Sequence, residues 1–433
     1  MCRNYLKTAL RNLWKSKAFS FINIIGLALG LTCRLCVSRA NNVVDVYDFR
    51  SNNNGDRFVD GEFSGSEGCC SKPGKKFKSR IIFTQINVMK KYLFLVAFLS
   101  QVCFVVAQNK FDKEPYLTKS LSGESIKNIE AKTSGGSISV TGGNSSDARI
   151  EVYVSPSNSN SSMTKEEIKQ RLEELYNLDV SVSNGRLTAV AKSKQQIKDW
   201  KKALSIAFKI YVPQNISTDL NTSGGSINLT NLSGRQKFAT SGGSLNIDKL
   251  SGAVDGRTSG GSIHVQNSKD DIHLVTSGGS ITASDCTGKL ELKTSGGSLD
   301  LSNLRGTIDA ETSGGSINGK TIEGELEAGT SGGSVHLKDI KSSLKTSTSG
   351  GNITVEITQL GKYVKIDNRA GDVTITLPKT TGLDLDLSGR MGETSFENFE
   401  GKIDENTVKG KLNGGGIPIT VDANSGRIKM HLK

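Results

Sequence analysis

Three carboxylates in the middle of the chain have types and spacing that suit chemistry on a cation or on a glycosidic bond. Glu291, Asp309 and Glu327 follow one another at intervals of 18 residues. If each interval is one turn of a repeating structure, the side chains form an outward row with about 5 Å between neighbours. Paired carboxylates act as acid and base in glycoside hydrolysis. The alternative interpretation is a solvated face, partly balanced by Lys293.

The interval of 18 residues comes from a tandem repeat. The phrase Thr-Ser-Gly-Gly-Ser/Asn-Ile/Leu/Val occurs eight times in register, starting at Thr222, Thr240, Thr258, Thr276, Thr294, Thr312, Thr330 and Thr348. A ninth copy starts at Thr133. A fixed period in this range is typical of a solenoid, in which each repeat forms one coil and buries its apolar face against its neighbours. We number each coil from its Thr as position 1.

Each coil is predicted to contain two short strands and two bends. Positions 6/8 and 15/17 are apolar and alternate with polar residues, as in strands with one buried face. One bend is Ser-Gly-Gly, where we expect glycine to allow positive φ, and the other is the frequent glycine of position 13. The alternation also directs the Thr inward, which predicts a stacked column that shares hydroxyl hydrogen bonds between coils. Cys286 is at an inward position, so we expect a small core residue rather than a reactive thiol.

The sequence therefore predicts an all-β fold, a β-solenoid of the β-helix or β-roll type with 18-residue coils and a small α+β insertion near its N-terminal end. Residues 222–365 are expected to form the regular solenoid, and residues 366–433 irregular C-terminal coils, because terminal repeats are usually atypical. Residues 108–221 are expected to hold a first coil and an α+β capping element that protects exposed strand edges.

Local signals define the capping element. Thr164 and Glu167 form a capping box at the start of an amphipathic helix. Asn184-Gly185 predicts a hairpin turn between two alternating segments. The segment ALSIAFKIYVP predicts a strand that ends at Pro213.

Residues 1–107 have the composition of targeting or membrane sequence. Residues 1–38 resemble the amino terminus of MacB/FtsX-type ABC transporter permeases on the phrase Asn-Tyr-Leu-Lys…Arg-Asn-Leu-Trp-Lys…Lys-Ala-Phe-Ser-Phe-Ile-Asn, which implies one apolar membrane segment. Residues 39–88 show no periodicity and are predicted to be disordered. Residues 89–107 read as a signal peptide with cleavage after Ala107. The simplest hypothesis is that the product begins at Met89.

Charge and composition limit the partners. The chain carries a formal charge of +12, of which residues 1–88, with 14 Lys/Arg and 6 Asp/Glu, contribute +8. The repeats are near neutral and poor in aromatic residues, so nucleic acid is not expected as a partner. Membrane contact is expected only through the N-terminal apolar segments.

No metal or cofactor is expected. The glycine-rich turns contain no carboxylate, unlike those of calcium-binding β-rolls, and the outward columns are not uniform as ice binding would require. The four histidines do not cluster into a zinc site. Six of the seven cysteines precede the predicted cleavage site, so the remainder has no disulfide framework.

From about Gln108 to Lys433 the chain resembles the secreted bacterial β-strand-repeat proteins grouped as "putative adhesins", a domain of unknown function. The phrases ALSIAFKIYVP, STDLNTSGGSINLTNLSG and the TSGGS[IL] ladder carry the resemblance. It implies a β-solenoid outside the cytoplasm, in the periplasm, at the cell surface or secreted, and it brings no catalytic residues.

Three functional hypotheses follow. The favoured one is an exported structural or adhesion-type module, not an enzyme, that binds an unidentified surface protein or glycan. The second is a glycan-active enzyme that uses Glu291, Asp309 and Glu327. The third is a membrane transporter component; it rests only on residues 1–38, which offer a single apolar segment where several would be needed.

Overall fold

The computed structural model describes residues 114–157, 163–195, 197, 199, 202–392 and 396–433. The strands of this part belong to one continuous sheet that winds as a β-solenoid. The permease-like segment, the segment predicted to be disordered and the signal peptide lie outside the described residues and stay predictions. No helix among the described residues is both long and apolar enough to cross a membrane.

The N-terminal part forms a first coil and the insertion that covers it. Its elements are β1 (Leu117–Ser120), β2 (Asn128–Thr133), β3 (Ile138–Gly143), β4 (Arg149–Pro156), α1 (Lys165–Leu175), β5 (Tyr176–Ser183), β6 (Arg186–Ser193) and β7 (Leu204–Pro213). β2 and β3 belong to the copy at Thr133. They pair in parallel with the strands of the Thr222 coil, and Thr133 lies opposite Thr222 itself. The long insertion between these copies therefore leaves the stacking intact.

The insertion closes the other side of the first coil. β6 pairs with β2 and β7 pairs with β3, both in parallel, while β5 and β4 run antiparallel outside them. The capping box is present, because the Thr164 hydroxyl accepts from the Glu167 N–H and the Glu167 carboxylate accepts from the Thr164 N–H. Asn184 and Gly185 have φ of 51° and 71°, as a two-residue hairpin turn requires. These predictions from the sequence are confirmed.

The regular coils stack in parallel. Their strands are β8 (Ser217–Thr222), β9 (Ile227–Ser233), β10 (Gln236–Thr240), β11 (Leu245–Ser251), β12 (Ala253–Thr258), β13 (Ile263–Gln266), β14 (Lys269–Thr276), β15 (Ile281–Thr294), β16 (Leu299–Thr312), β17 (Ile317–Thr330), β18 (Val335–Thr348) and β19 (Ile353–Asn368). From β15 to β18 equivalent positions of neighbouring coils lie opposite each other without a register shift. The predicted fold class is confirmed.

The six coils from Thr222 to Thr312 each have three bends, whereas the sequence predicted two. Position 10 has positive φ in seven successive coils, although it is never glycine. These residues are Asn231, Lys249, Asn267, Asp285, Asn303, Thr321 and Asp339. The glycines at position 13 provide a second bend, with φ of 118° at Gly288 and 128° at Gly306. The apolar residue at position 11 thus lies on a short third side and also points inward, as Leu304 does with 1% exposure.

The Ser-Gly-Gly corner needs its glycines for a different reason from the one expected. None of these glycines has positive φ from Gly224 to Gly351. A Cβ added to Gly297, the second glycine of its corner, would lie 2.1 Å from the carbonyl oxygen of Gly279 in the preceding coil. A Cβ on Gly296 would be no closer than 3.5 Å to any atom. The second glycine is therefore required because successive backbones approach closely.

The Thr column is buried and links the coils through hydrogen bonds. Thr312 is 6% exposed; its hydroxyl donates to the Gly297 carbonyl at 2.7 Å and accepts from the Gly315 N–H at 3.3 Å. The hydroxyls thus join coils as expected, but their partners are glycine backbone groups and not neighbouring hydroxyls. Cys286 is fully buried, and burial raises the pKa of its thiol, which confirms its assignment to the core.

Replacing Thr312 with valine should lower the free energy of unfolding by about 1–2 kcal/mol, because an isosteric methyl removes the hydroxyl that bonds a half-buried carbonyl and a half-buried N–H. Replacing it with serine keeps the hydroxyl and should cost less. Urea unfolding followed by circular dichroism measures both. A serine variant that is as unstable as the valine variant would show that the methyl, and not the hydroxyl, holds the corner.

The C-terminal part leaves the coil pattern in one place. Its strands are β20 (Val373–Leu377), β21 (Leu383–Met391), β22 (Phe399–Ile403), β23 (Thr407–Leu412) and β24 (Ile417–Leu432). β24 continues the parallel stack on β19 and β20. β21 pairs in parallel with β24 and therefore also belongs to the stack, whereas β23 pairs antiparallel with both β21 and β22, so only residues 399–412 form an antiparallel hairpin outside the coils. Consecutive positive φ at Asn413, Gly414 and Gly415 supports the sharp reversal into β24.

Candidate functional site

The structure brings the three predicted carboxylates together on one outward face. Glu291 lies on β15, Asp309 on β16 and Glu327 on β17, and each is directly opposite the next in the parallel ladder. Glu291 and Asp309 are half-buried, whereas Glu327 is exposed. We name these three residues the acidic column. In-register stacking is what places residues 18 positions apart side by side.

Lysines from the same face already occupy the acidic column. The Nζ of Lys293 lies 3.0 Å from Glu291, 3.3 Å from Asp309 and 3.1 Å from Glu311. Lys345 forms an ion pair with Glu327. The lysine between the first two carboxylates stands where a water or a glycosidic oxygen would have to lie for acid–base catalysis.

The protonation tendencies of the column follow from these contacts. The hydrogen bond from Lys293 lowers the pKa of Glu291. The hydrogen bonds that Lys293 makes with Glu291 and Glu311 in turn raise the pKa of Lys293. Burial raises the pKa of Asp309, and its Oδ1 has no hydrogen-bond partner in the described part of the chain. Neighbouring carboxylates with opposite shifts are a known feature of acid–base pairs, but they also arise in structural ion networks.

These shifts predict opposite effects of two neutral substitutions. A raised carboxyl pKa means that stability falls as pH rises from the ordinary Asp range through that pKa. Asp309→Asn should therefore raise the melting temperature at pH 7 and change it little at pH 3. A lowered carboxyl pKa contributes stability at pH values above the pKa of that carboxyl in the unfolded chain, and this stability is lost as the pH falls through the lowered pKa. Because the pKa of Glu291 is lowered, Glu291→Gln should lower the melting temperature at pH 7 only. Thermal unfolding at both pH values checks this, and shifts of the same sign at pH 7 would contradict it.

The structure offers no evident metal centre in the residues it describes. No three His, Cys, Asp or Glu side chains gather closely enough there to hold an ion. His264 lies on β13 and His273 on β14, on different outward faces of the same coil, as the sequence indicated. The Nδ1 of His273 lies 3.9 Å from Glu291, at the edge of the acidic column.

A second outward face carries mainly uncharged polar side chains. It consists of positions 7 and 9 of the coils from Thr133 to Thr294. We name it the polar strip, with residues Ser139, Thr141, Asn228, Thr230, Asn246, Asp248, His264, Gln266, Thr282, Ser284, Asp300 and Ser302. Two members of the strip are linked between coils, because Asn246 donates to Asn228 at 2.7 Å, and Asp300 accepts from Asn318 of the next coil at 2.8 Å. The sequence identified these positions as outward but did not predict these two side-chain hydrogen bonds.

The polar strip continues into the capping insertion. Lys209 and Tyr211 of β7 lie directly opposite Ser139 and Thr141 of β3. The guanidinium of Arg149 stands 3.9 Å from the centre of the Tyr211 ring. The alternation in ALSIAFKIYVP predicted a strand, but its pairing with β3 joins segments far apart in the chain. No pattern in the sequence therefore indicated that an aromatic side chain lies at the N-terminal end of the strip.

Comparisons with known proteins bear on the C-terminal half of the solenoid. Residues 324–431 match the family Toastrack DUF4097. The match covers about a quarter of the chain, from β17 to β24. No curated protein matches the chain.

The crystal structures similar to the chain include two of proteins named for adhesion. The first, of a "putative cell adhesion protein" from Clostridium sporogenes, is 11% identical, covers 73% of this chain and 98% of its own, and has a TM-score of 0.17. The second, of a "putative adhesin" from Bacteroides fragilis, is 16% identical, covers 60% of this chain and 95% of its own, and has a TM-score of 0.27. These TM-scores are too low for either structure to inform the function of this chain.

Proposed function

We propose that the protein is an exported, adhesion-type β-solenoid without enzymatic activity, which binds a surface protein or glycan through its outward sheet faces. The observation that carries the proposal is the position of Lys293 between Glu291 and Asp309. It fills the only carboxylate row that the sequence had singled out for catalysis.

The architecture supports binding over an extended area. Eight regular coils at about 4.8 Å each make a lateral face roughly 40 Å long. Solenoids commonly use such extended surfaces for recognition, and their outward side chains vary from coil to coil without disturbing the core. The match of residues 324–431 to Toastrack and the resemblance to exported repeat proteins fit this role.

The test is a binding array of surface proteins and glycans probed with the purified protein, together with hydrolysis assays on the same glycans. The variant Glu291→Gln/Asp309→Asn/Glu327→Gln serves as the comparison. We expect the array to reveal a specific binding partner. We also expect that neither the wild type nor the variant hydrolyses any of the glycans. Turnover by the wild type that the variant loses would instead establish the glycan-active enzyme.

A further inference from the structure

We propose that the polar strip binds a neutral, extended glycan chain. This inference rests on the proposed function and names both the ligand class and the face that takes it. Of the twelve side chains in the strip two are carboxylates, and none is Lys or Arg. The rest are hydroxyls, amides and one imidazole.

The chemistry of the strip matches a polyhydroxylated chain. Each sugar hydroxyl can donate and accept, and hydroxyl and amide side chains can do the same. Parallel in-register pairing presents one pair of these side chains at intervals of about 4.8 Å. A linear glycan that lies along the strip would therefore meet a pair of hydrogen-bonding side chains in each coil, although the residue types differ between coils.

Both carboxylates of the strip are held in place by amides. Asn267 donates to Oδ1 of Asp248 at 2.8 Å, and Asn318 donates to Oδ1 of Asp300 at 2.8 Å. Each carboxylate keeps a second oxygen that can accept from a sugar hydroxyl. Because these side chains are already oriented, less conformational entropy is lost when a ligand binds.

The N-terminal end of the strip adds an apolar platform. The half-buried ring of Tyr211 follows Thr141 in the same column, and Arg149 covers one face of that ring. A tyrosine combines an apolar ring with a polar hydroxyl, which suits contact with the C–H face of a sugar. The platform would fix one end of the glycan.

Other ligand classes fit the strip less well. A protein partner is usually anchored by large apolar or aromatic side chains at the centre of the interface. The exposed large apolar residues of the described chain are Tyr116, Leu117 and Ile403, and none belongs to the strip. Nucleic acids and anionic glycans require basic side chains along their length. None of the twelve strip residues is Lys or Arg, and Lys209 and Lys320 flank the strip only at its two ends.

The test measures binding of the full-length protein to immobilised dextran, mannan and xylan, with heparin as the charged comparison, by biolayer interferometry. The strip variant is Asn246→Ala/Asp248→Ala/His264→Ala. The matched control, Asp255→Ala/Arg257→Ala/His273→Ala, changes three polar residues of the same coils on the other face. Asp255 and Arg257 pair with each other at 3.2 Å, so their joint removal leaves neither charge unpaired. Circular dichroism verifies that both variants fold.

The wild type should bind at least one neutral polysaccharide better than heparin. The strip variant should lose about tenfold or more in affinity, and the control should stay within about twofold. No binding to a neutral polysaccharide, a preference for heparin, or equal losses in both variants would overturn the inference. A protein partner found without neutral-glycan binding would refute this inference alone. Glycan turnover by the wild type would refute the proposed function.

Discussion

Gly297→Ala is expected to lower the free energy of unfolding by about 3 kcal/mol, whereas Gly296→Ala leaves it unchanged or raises it by up to about 1 kcal/mol. The first substitution places a Cβ 2.1 Å from the Gly279 carbonyl oxygen. The clash is with backbone that is itself bonded into the stack, so no side chain can move to relieve it. Gly296 has 3.5 Å of space and no positive φ, so alanine there mainly reduces the entropy of the unfolded chain.

Urea unfolding of the two variants provides the measurement, with each serving as control for the other. Because a coil contacts only its neighbours, the loss should also appear as faster amide exchange in β15 and β16 than in β11. Equal stability of the two variants would show that the coils can separate enough to admit a methyl group. That result would remove the close approach of backbones as the reason for the repeated glycine.

The coil shows which structural features a sequence repeat predicts and which it does not. The alternation of apolar positions sufficed to predict burial, because each inward side chain needs only its own strand to be aimed correctly. The third bend was missed because it depends on backbone conformation at position 10. Asn or Asp occupies five of the seven positions there, from Asn231 to Asp339. Both types tolerate positive φ, and this was the signal available in the sequence.

The role of the Ser-Gly-Gly corner could not be read from one coil. Gly297 has an ordinary φ, so no local conformational rule requires glycine there. The requirement appears only when the carbonyl of Gly279 is placed above it by stacking. The sequence suggested positive φ as the reason for these glycines, because it shows residue types but not the distance between successive backbones.

The candidate site, like the coil, could be predicted from the sequence only in part. The constant period placed Glu291, Asp309 and Glu327 in a row, and the structure has them so. Lys293 bridges Glu291 and Asp309 because of the conformation of its side chain, which the period does not predict. The bridge makes that row an ion-pair network rather than a catalytic site. The junction of Tyr211 with the polar strip depends on pairing across the insertion, which no period describes.

Phe238 should prove one of the most sensitive core positions of the solenoid. Its ring is 2% exposed and lies against Gly256, which is directly opposite it in the next coil. A Cβ on Gly256 would lie 2.4 Å from the ring and 2.8 Å from Leu274. The large and the small residue therefore share one volume. Phe238→Ala should cost about 3–5 kcal/mol by leaving a cavity, and Gly256→Ala about 1–3 kcal/mol by overpacking.

The decisive experiment exchanges the two volumes. Gly256→Leu alone should destabilise the protein strongly, but combined with Phe238→Ala it fills the cavity, because volume-conserving changes in a core are tolerated best. The double variant should be more stable than the sum of the single losses by about 1–3 kcal/mol in urea unfolding. Combining Phe238→Ala with Leu292→Ala, three coils away at the same position, should give additive losses. Additivity in the first pair as well would mean that the ring and the glycine do not share a volume, and that each coil packs on its own.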